Sequence, residues 1–361
     1  MWENLFSADY VSARQRFLGL ASRFTDCEQV SLSLSQKGPQ GEELAIDILC
    51  LGEGEDLLLS TSGIHGVEGY PGSAIQLNIL QQILEEGAPE GVRIVFVHAL
   101  NPWGMAWLRR VNENNVDLNR NFLPTGEEYS GEPEDYQRVD HLINPEKTIQ
   151  RKERGFGRRI LGHVLKHGWS RTKQAIAEGQ YTRPESMQYG GGGLEEGPSL
   201  FLKWLNMELE GRRRIMAIDL HTGLGKFGED TLLVATETSQ DVFADLKRRF
   251  GKRVCSLDPD AGVAYRTRGD LHQGLMARWP DLDWTCITQE FGTYRPLKVL
   301  AALRCENSWT RHGEVDDLYN HWSRRELLKI FNPVDFDWRH KILKRGRILF
   351  EQGCQQLLEG R

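Results

Sequence analysis

At 361 residues the chain has room for one large α/β domain or about two ordinary ones. Its 39% hydrophobic and 27% charged residues, with 37 Gly and only 13 Pro, exclude a disordered, collagen-like or coiled-coil chain. A formal net charge of −6 argues against a protein held mainly by nucleic-acid phosphates, so no nucleic-acid partner is expected.

The N-terminal stretch MWENLFSADYVSARQRFLGLASRF lacks a basic start followed by an uninterrupted apolar run. No segment approaches the roughly 20 apolar residues that span a bilayer, so no membrane partner and a cytoplasmic location are expected. The six cysteines form no C-x-x-C pair, which fits buried reduced thiols rather than a disulfide scaffold.

Residues 30–35, VSLSLS, alternate apolar and polar side chains, and LAIDILCLG follows a Gly/Pro turn, so the pair reads as a hairpin at a sheet edge. DLLLSTSGIHG reads as a buried strand entering a glycine-rich loop. Pro71 then opens an apolar-periodic helix that Gly87 closes. VRIVFVHALNP, RRIMAIDLHTG, DTLLVAT and DWTCITQEFGT are further short apolar runs, with helical patterns such as QDVFADLKRRFG between several of them. The expected fold class is therefore α/β, with a mixed, largely parallel central sheet and helices on both faces. In such sheets ligands bind outside the carboxyl ends of the strands.

Residues 123–210 read differently, with charge and turn residues around the helical pieces RRILGHVLKHGW and SLFLKWLNMELEG. They are expected to elaborate a single domain over 1–361. GLGKFG at 223–228 satisfies G-x-G-x-x-G, but it leads into another strand and offers no helix N-terminus to a pyrophosphate.

Four chain-distant pieces sit where strands end: GIHGVEG, VDLNRNF, IDLHTG and TQEFGT. His65 and Glu68 are separated by two residues in a loop with glycines at 63, 66 and 69, so an imidazole and a carboxylate can converge on one ion. His221 ends another strand and can supply a third ligand. Two His and one Glu with water compose an open catalytic zinc site, although His65 also reads as a hydrogen-bonded loop residue. An Asn119/Arg120 pair suits an anionic substrate end, or else a solvated loop with surface ion pairs. Glu290 ends an apolar strand, where an unpaired carboxylate is costly; the plain alternative is a salt-bridged structural residue.

H-x-x-E, then D-L-N-R-N-F, then a strand-end His and a strand-end Glu resemble the M14 zinc carboxypeptidase superfamily, including its aspartoacylase and succinylglutamate desuccinylase branch. Within it, the wording around HGVEG, RRVNENNVDLNRNF and DLHTG is similar to the DUF2817 group, and the resemblance runs from about Leu57 to Tyr294. It implies a zinc carboxypeptidase-like fold with one zinc per chain on His65, Glu68 and His221. Glu290 would then be general base and acid, and Asp117 would orient His65. Asn119 and Arg120 would hold a substrate carboxylate. Arg110, with Arg109 close behind, would polarise the scissile carbonyl. Tyr265 is the candidate for the mobile tyrosine of classical members.

The implied activity is zinc-dependent amide hydrolysis, first as a metallocarboxypeptidase that removes a C-terminal residue. The second reading is an amidohydrolase of N-acyl amino acids, and the third a non-catalytic zinc-binding protein of the same fold. The partner in either hydrolytic case is a peptide or N-acyl amino acid with a free carboxylate.

Overall fold

The computed structural model of the protein describes residues 2–151, 153–235, 240–256 and 266–359. Among them eight strands form one sheet: β1 Cys27–Lys37, β2 Glu43–Leu51, β3 Asp56–Ser62, β4 Val92–His98, β5 Arg214–Gly223, β6 Asp230–Val234, β7 Val254–Ser256 and β8 Asp283–Gly292. Their order is β1-β2-β4-β3-β5-β8-β6-β7. The β1–β2 hairpin pairs antiparallel at one edge, as its alternation predicts, while β4, β3, β5 and β8 run parallel through the middle. β2–β4 and β6–β8 are antiparallel, so the sheet is mixed.

The central strands are buried at nearly every position because both faces are covered. Their side chains divide with the two-residue period of a strand. Leu57, Leu59, Val95, Val97, Ile215 and Ala217 enter one core. Leu58, Ile94, Phe96, Met216, Ile218 and Leu220 enter the other. The first face is covered by α7 (Glu196–Glu208), α9 (Leu271–Arg278) and α11 (Trp322–Phe331). The second is covered by α2 (Gly69–Glu86), α8 (Gln240–Phe250) and α12 (Phe336–Glu359). Helix α1 (Tyr10–Ala21) contributes to both.

Helix α2 starts at Gly69, two residues before the expected opening, with Pro71 in its first turn, where no intrahelical N–H bond is lost. The short α3 (Pro102–Ala106) follows β4. Between β4 and β5, α4 (Tyr136–Ile143), α5 (Phe156–His167) and α6 (Trp169–Ala177) bury a small core of their own, including Tyr136, Val139 and Ile160. It rests on Leu300 and Leu303 of α10 (Pro296–His312).

This connectivity positions the site. β3 leads through α2 to β4 on one side, whereas β5 lies on its other side. The loops after β3 and β5 therefore diverge and leave a crevice at the carboxyl ends of the strands.

Candidate active site

His65, Glu68 and His221 meet in that crevice, all buried. The loop carrying the first two is forced into place by its glycines. Gly63 has φ +66°, and a Cβ there would lie 2.6 Å from Ala99 Cβ. A Cβ on Gly66 would lie 2.0 Å from the carbonyl carbon of Gly104 and 2.5 Å from Arg109 O. That close approach lets Gly66 N–H donate to Arg110 O (3.1 Å) and Val67 N–H to Arg109 O (3.0 Å), tying the His65 loop to the 109–110 segment.

Each imidazole is held at Nε2 and turned inward at Nδ1. His65 Nε2 lies 3.1 Å from Asp117 Oδ1, and His221 Nε2 lies 2.6 Å from Asp219 Oδ2. His65 Nδ1 is 2.9 Å from Glu68 Oε1, and His221 Nδ1 is 3.2 Å from Glu68 Oε2. Thr222 N–H donates to Glu68 Oε2 at 2.9 Å. His65 Nδ1 is buried and makes no hydrogen bond despite its contact with Glu68. Two Nδ1 atoms and a carboxylate converging, each ring backed by a carboxylate at its other nitrogen, fit a zinc ion by donor type and by outer support.

The charges point the same way. Burial opposes ionisation of Glu68, but His65 and His221 outweigh it and hold the carboxyl well below its ordinary range. Burial also opposes charge on Asp117 and Asp219; Arg110 and His65 for the first, and His221 for the second, outweigh it. His221 is raised well above an ordinary imidazole: burial works against its charge, and Asp219 followed by Glu68 overcome it. Buried carboxylates in this number call for positive charge between the two Nδ1 atoms. Glu28, Cys50 and Glu208 form a second cluster of possible ligands. There Arg93 already supplies the charge, 2.9 Å from each glutamate.

Glu290 stands beside this group. His221 and Glu290 are register partners on β5 and β8, and Glu290 Oε1 accepts from Leu224 N–H at 2.8 Å. Burial, then the charge of Glu68, pushes its carboxyl up to about 7. A carboxyl near neutrality can take up and release a proton under physiological conditions.

The remaining candidates separate. Arg110 lines the cavity, ion-paired with Asp117 and donating to Gln188 Oε1 at 3.2 Å. Arg109 is turned to Glu306 on α10, 2.8 Å away, and does not line the cavity. Asn119 lines the cavity, with its Oδ1 accepting from Leu271 N–H at 2.9 Å. Arg120, expected to hold a substrate carboxylate beside Asn119, makes other contacts among the described residues. Its guanidinium donates to Ala177 O (3.2 and 2.6 Å) and Asn119 O (2.6 Å), is 1% exposed, and is absent from the cavity wall. The physical reason is the α6 terminus, whose last carbonyls lack intrahelical partners and capture the guanidinium. Tyr265 lies outside the described residues.

The cavity has a volume of about 330 Å³. Beyond the polar cluster its wall is mostly apolar, with Ile160 and Ile176 from α5 and α6 facing Leu297, Leu300 and Leu303 from α10. Sequence reasoning passed over Asp219, although D-x-H on a strand places both side chains on one face. It also missed Gln188 and His272, which no local pattern singles out.

The family described as "Protein of unknown function (DUF2817)" matches residues 6–345. No curated protein matches the chain. Among solved structures, carboxypeptidase A from Helicoverpa armigera is similar at 13% identity and TM-score 0.47, covering 96% of this chain and 75% of that one. Bovine thrombin-activatable fibrinolysis inhibitor, solved with a tick carboxypeptidase inhibitor, gives 11% and 0.45, covering 96% and 99%. Succinylglutamate desuccinylase from Chromobacterium violaceum gives 16% and 0.37, covering 91% and 76%.

Proposed function

Because the chain belongs to the DUF2817 family, whose description assigns no activity, we propose a function from the site itself: zinc-dependent hydrolysis of an amide, foremost removal of a C-terminal residue from a peptide. The observation that carries this reading is the convergence of His65 Nδ1, Glu68 and His221 Nδ1 beside Glu290 in one cavity. When bound there by His65, Glu68 and His221, zinc lowers the pKa of water towards about 7 and polarises a carbonyl oxygen.

The chain's own groups supply the rest. Glu290 accepts a proton from the attacking water at a carboxylate oxygen and returns it to the leaving amine. Arg110, fixed by Asp117 and Gln188, presents a cation at the cavity wall for the negative charge that develops on the carbonyl oxygen. Asp117 and Asp219 keep each imidazole's Nδ1 turned inward. Asn119 Nδ2, which has no hydrogen-bond partner among the described residues, is the donor on that wall for a substrate carboxylate. Arg120 would join it only by releasing Ala177 O. Leu224 N–H holds the Glu290 carboxylate in position.

The second reading, cleavage of an N-acyl amino acid, uses the same groups. The cavity volume favours keeping it, since about 330 Å³ lies at the small end of ligand pockets and suits one residue or a short acyl amino acid. The deciding experiment is mass-spectrometric product profiling of the zinc-loaded protein, with Glu290→Gln as control, on peptides with varied C-termini and a panel of N-acyl amino acids. Loss of single C-terminal residues supports the first reading, and release of acyl groups alone the second. No control-sensitive product in either set removes both.

A further inference from the structure

Beyond the reacting groups, the cavity wall contains one imidazole that neither reading uses. His272, the second residue of α9, is 7% exposed and lines the cavity. Its Nδ1 lies 3.4 Å from Thr288 Oγ1, while its Nε2 is buried with no hydrogen-bond partner among the described residues. A buried polar atom left unsatisfied is costly, and one on a residue that lines a cavity can gain its partner from a ligand.

The strand register gives its depth. Asp219 and Thr288 are register partners one side-chain pair before His221 and Glu290 on the same two strands. Thr288 therefore sits about 6.6 Å further into the sheet than Glu290, two residues at about 3.3 Å each. That span is the reach of a long side chain such as a tyrosine's, measured from a substrate whose scissile bond lies at Glu290. The same cavity wall carries aliphatic side chains, Leu300 and Leu303 among them.

Resting on the amide-hydrolase reading, we propose that His272 is a specificity-determining residue, and that the cavity takes a substrate residue with an aromatic body and a hydroxyl tip, the tip bonding to His272 Nε2. Whichever ring nitrogen carries the proton, Nε2 offers either a hydrogen or a lone pair, and a phenol answers both. A phenyl ring of the same shape fills the same apolar space and leaves Nε2 unpaired. A site built around a hydroxyl rejects the analogue that lacks it.

The test compares kcat/KM for matched substrates that differ only in tyrosine or phenylalanine, offered as C-terminal residues of peptides and as N-acyl amino acids. Wild-type protein is expected to favour tyrosine by about tenfold or more. In His272→Leu the ratio is expected to collapse towards one or invert. His272→Gln, which keeps a polar group, is expected to retain part of it and serves if the leucine variant does not fold. A wild-type ratio near one, or a tyrosine preference that survives His272→Leu, overturns the proposal. Calorimetry of zinc-loaded Glu290→Gln with N-acetyltyrosine and N-acetylphenylalanine separates this idea from the reading beneath it. Tyrosine-selective binding that depends on His272, without hydrolysis of any amide by wild type, sinks the hydrolase reading alone. Hydrolysis without tyrosine selectivity, or no selective binding, sinks the role of His272.

Discussion

His221 and Glu290 face each other as register partners on adjacent parallel strands, β5 and β8. An imidazole that converges with His65 and Glu68 and a carboxyl raised to about 7 are thus placed side by side by backbone hydrogen bonding, two segments about seventy residues apart in sequence being locked by the sheet ladder. Glu290→Gln keeps the shape and the acceptor oxygen for Leu224 N–H but cannot take a proton. Turnover is expected to fall by about 10²–10⁴-fold, with zinc content unchanged by elemental analysis. Because Glu290 must be ionised to act as base, activity is lost as pH falls through its pKa. The metal-free value is about 7, and a nearby dication draws it lower, so the acidic limb is expected between there and an ordinary glutamate's range. Full activity in Glu290→Gln would take this residue out of the reaction.

Asp219 and Asp117 hold the far nitrogens of the two imidazoles, and neither touches the point where the three ligand atoms converge. Removing such a support loosens ring orientation and lowers ligand basicity. Asp219→Ala is expected to weaken zinc binding by about 10–100-fold, read by competition with a chelator of known affinity. Thr61 Oγ1 also donates to Asp219 at 2.6 Å, so Thr61→Val is expected to shift affinity in the same direction and less. Unchanged affinity in Asp219→Ala would separate His221 from metal binding.

Two glycines offer a contrast in which packing, not residue type, decides the sign. A Cβ on Gly66 meets backbone atoms of Gly104 and Met105 at 2.0 and 2.3 Å, where no rotamer can give way. Gly66→Ala is expected to destabilise by about 3 kcal/mol or more and to weaken zinc binding, because the loop holding His65 and Glu68 must move. Gly19 is an exposed position in α1, and a Cβ there meets nothing within 4 Å. Gly19→Ala is expected to stabilise by about 0.5–1 kcal/mol. Urea unfolding of both variants checks the pair.

The strands and the strand-end site residues were legible because both depend on local pattern. Apolar runs marked the central strands, and polar residues with glycine marked where those runs stop, which is where His65, His221 and Glu290 lie. Helix α1 was equally readable and was passed over: Asp9 caps it by accepting from Ser12 N–H, and Tyr10, Ala13, Phe17 and Leu20 repeat at helical spacing. Arg120 and His272 were not readable. The first is captured by a carbonyl 57 residues away and the second faces Thr288 from another element, so their surroundings arise only when the chain closes on itself. Arg109 and Arg110 are neighbours with opposite fates, one turned to Glu306 and the other to Asp117, a choice that packing makes and sequence does not encode locally.

His98 carries a pH dependence independent of the site. It is buried on the second face of the sheet, stacked on Phe17 with ring centroids 4.7 Å apart, and its Nε2 lies 2.9 Å from Ser73 Oγ. Burial pushes its pKa down to about 4. The unfolded chain, with an ordinary imidazole near 6.5, therefore binds the proton more readily than the folded one between those two values. Stability from this group is complete above about pH 6.5 and drains away as pH falls towards 4, by about 2 kcal/mol between pH 7.5 and 5. His272, His163 and His321 are also lowered by burial, and Glu290 and His221 are raised, so other groups titrate in the same window and the difference between wild type and a His98 variant is what reads His98. Urea unfolding at the two pH values is expected to show a smaller loss in His98→Leu than in wild type, by about the same 2 kcal/mol, whatever the variant's absolute stability. An identical loss in both proteins would assign the acid sensitivity to other groups.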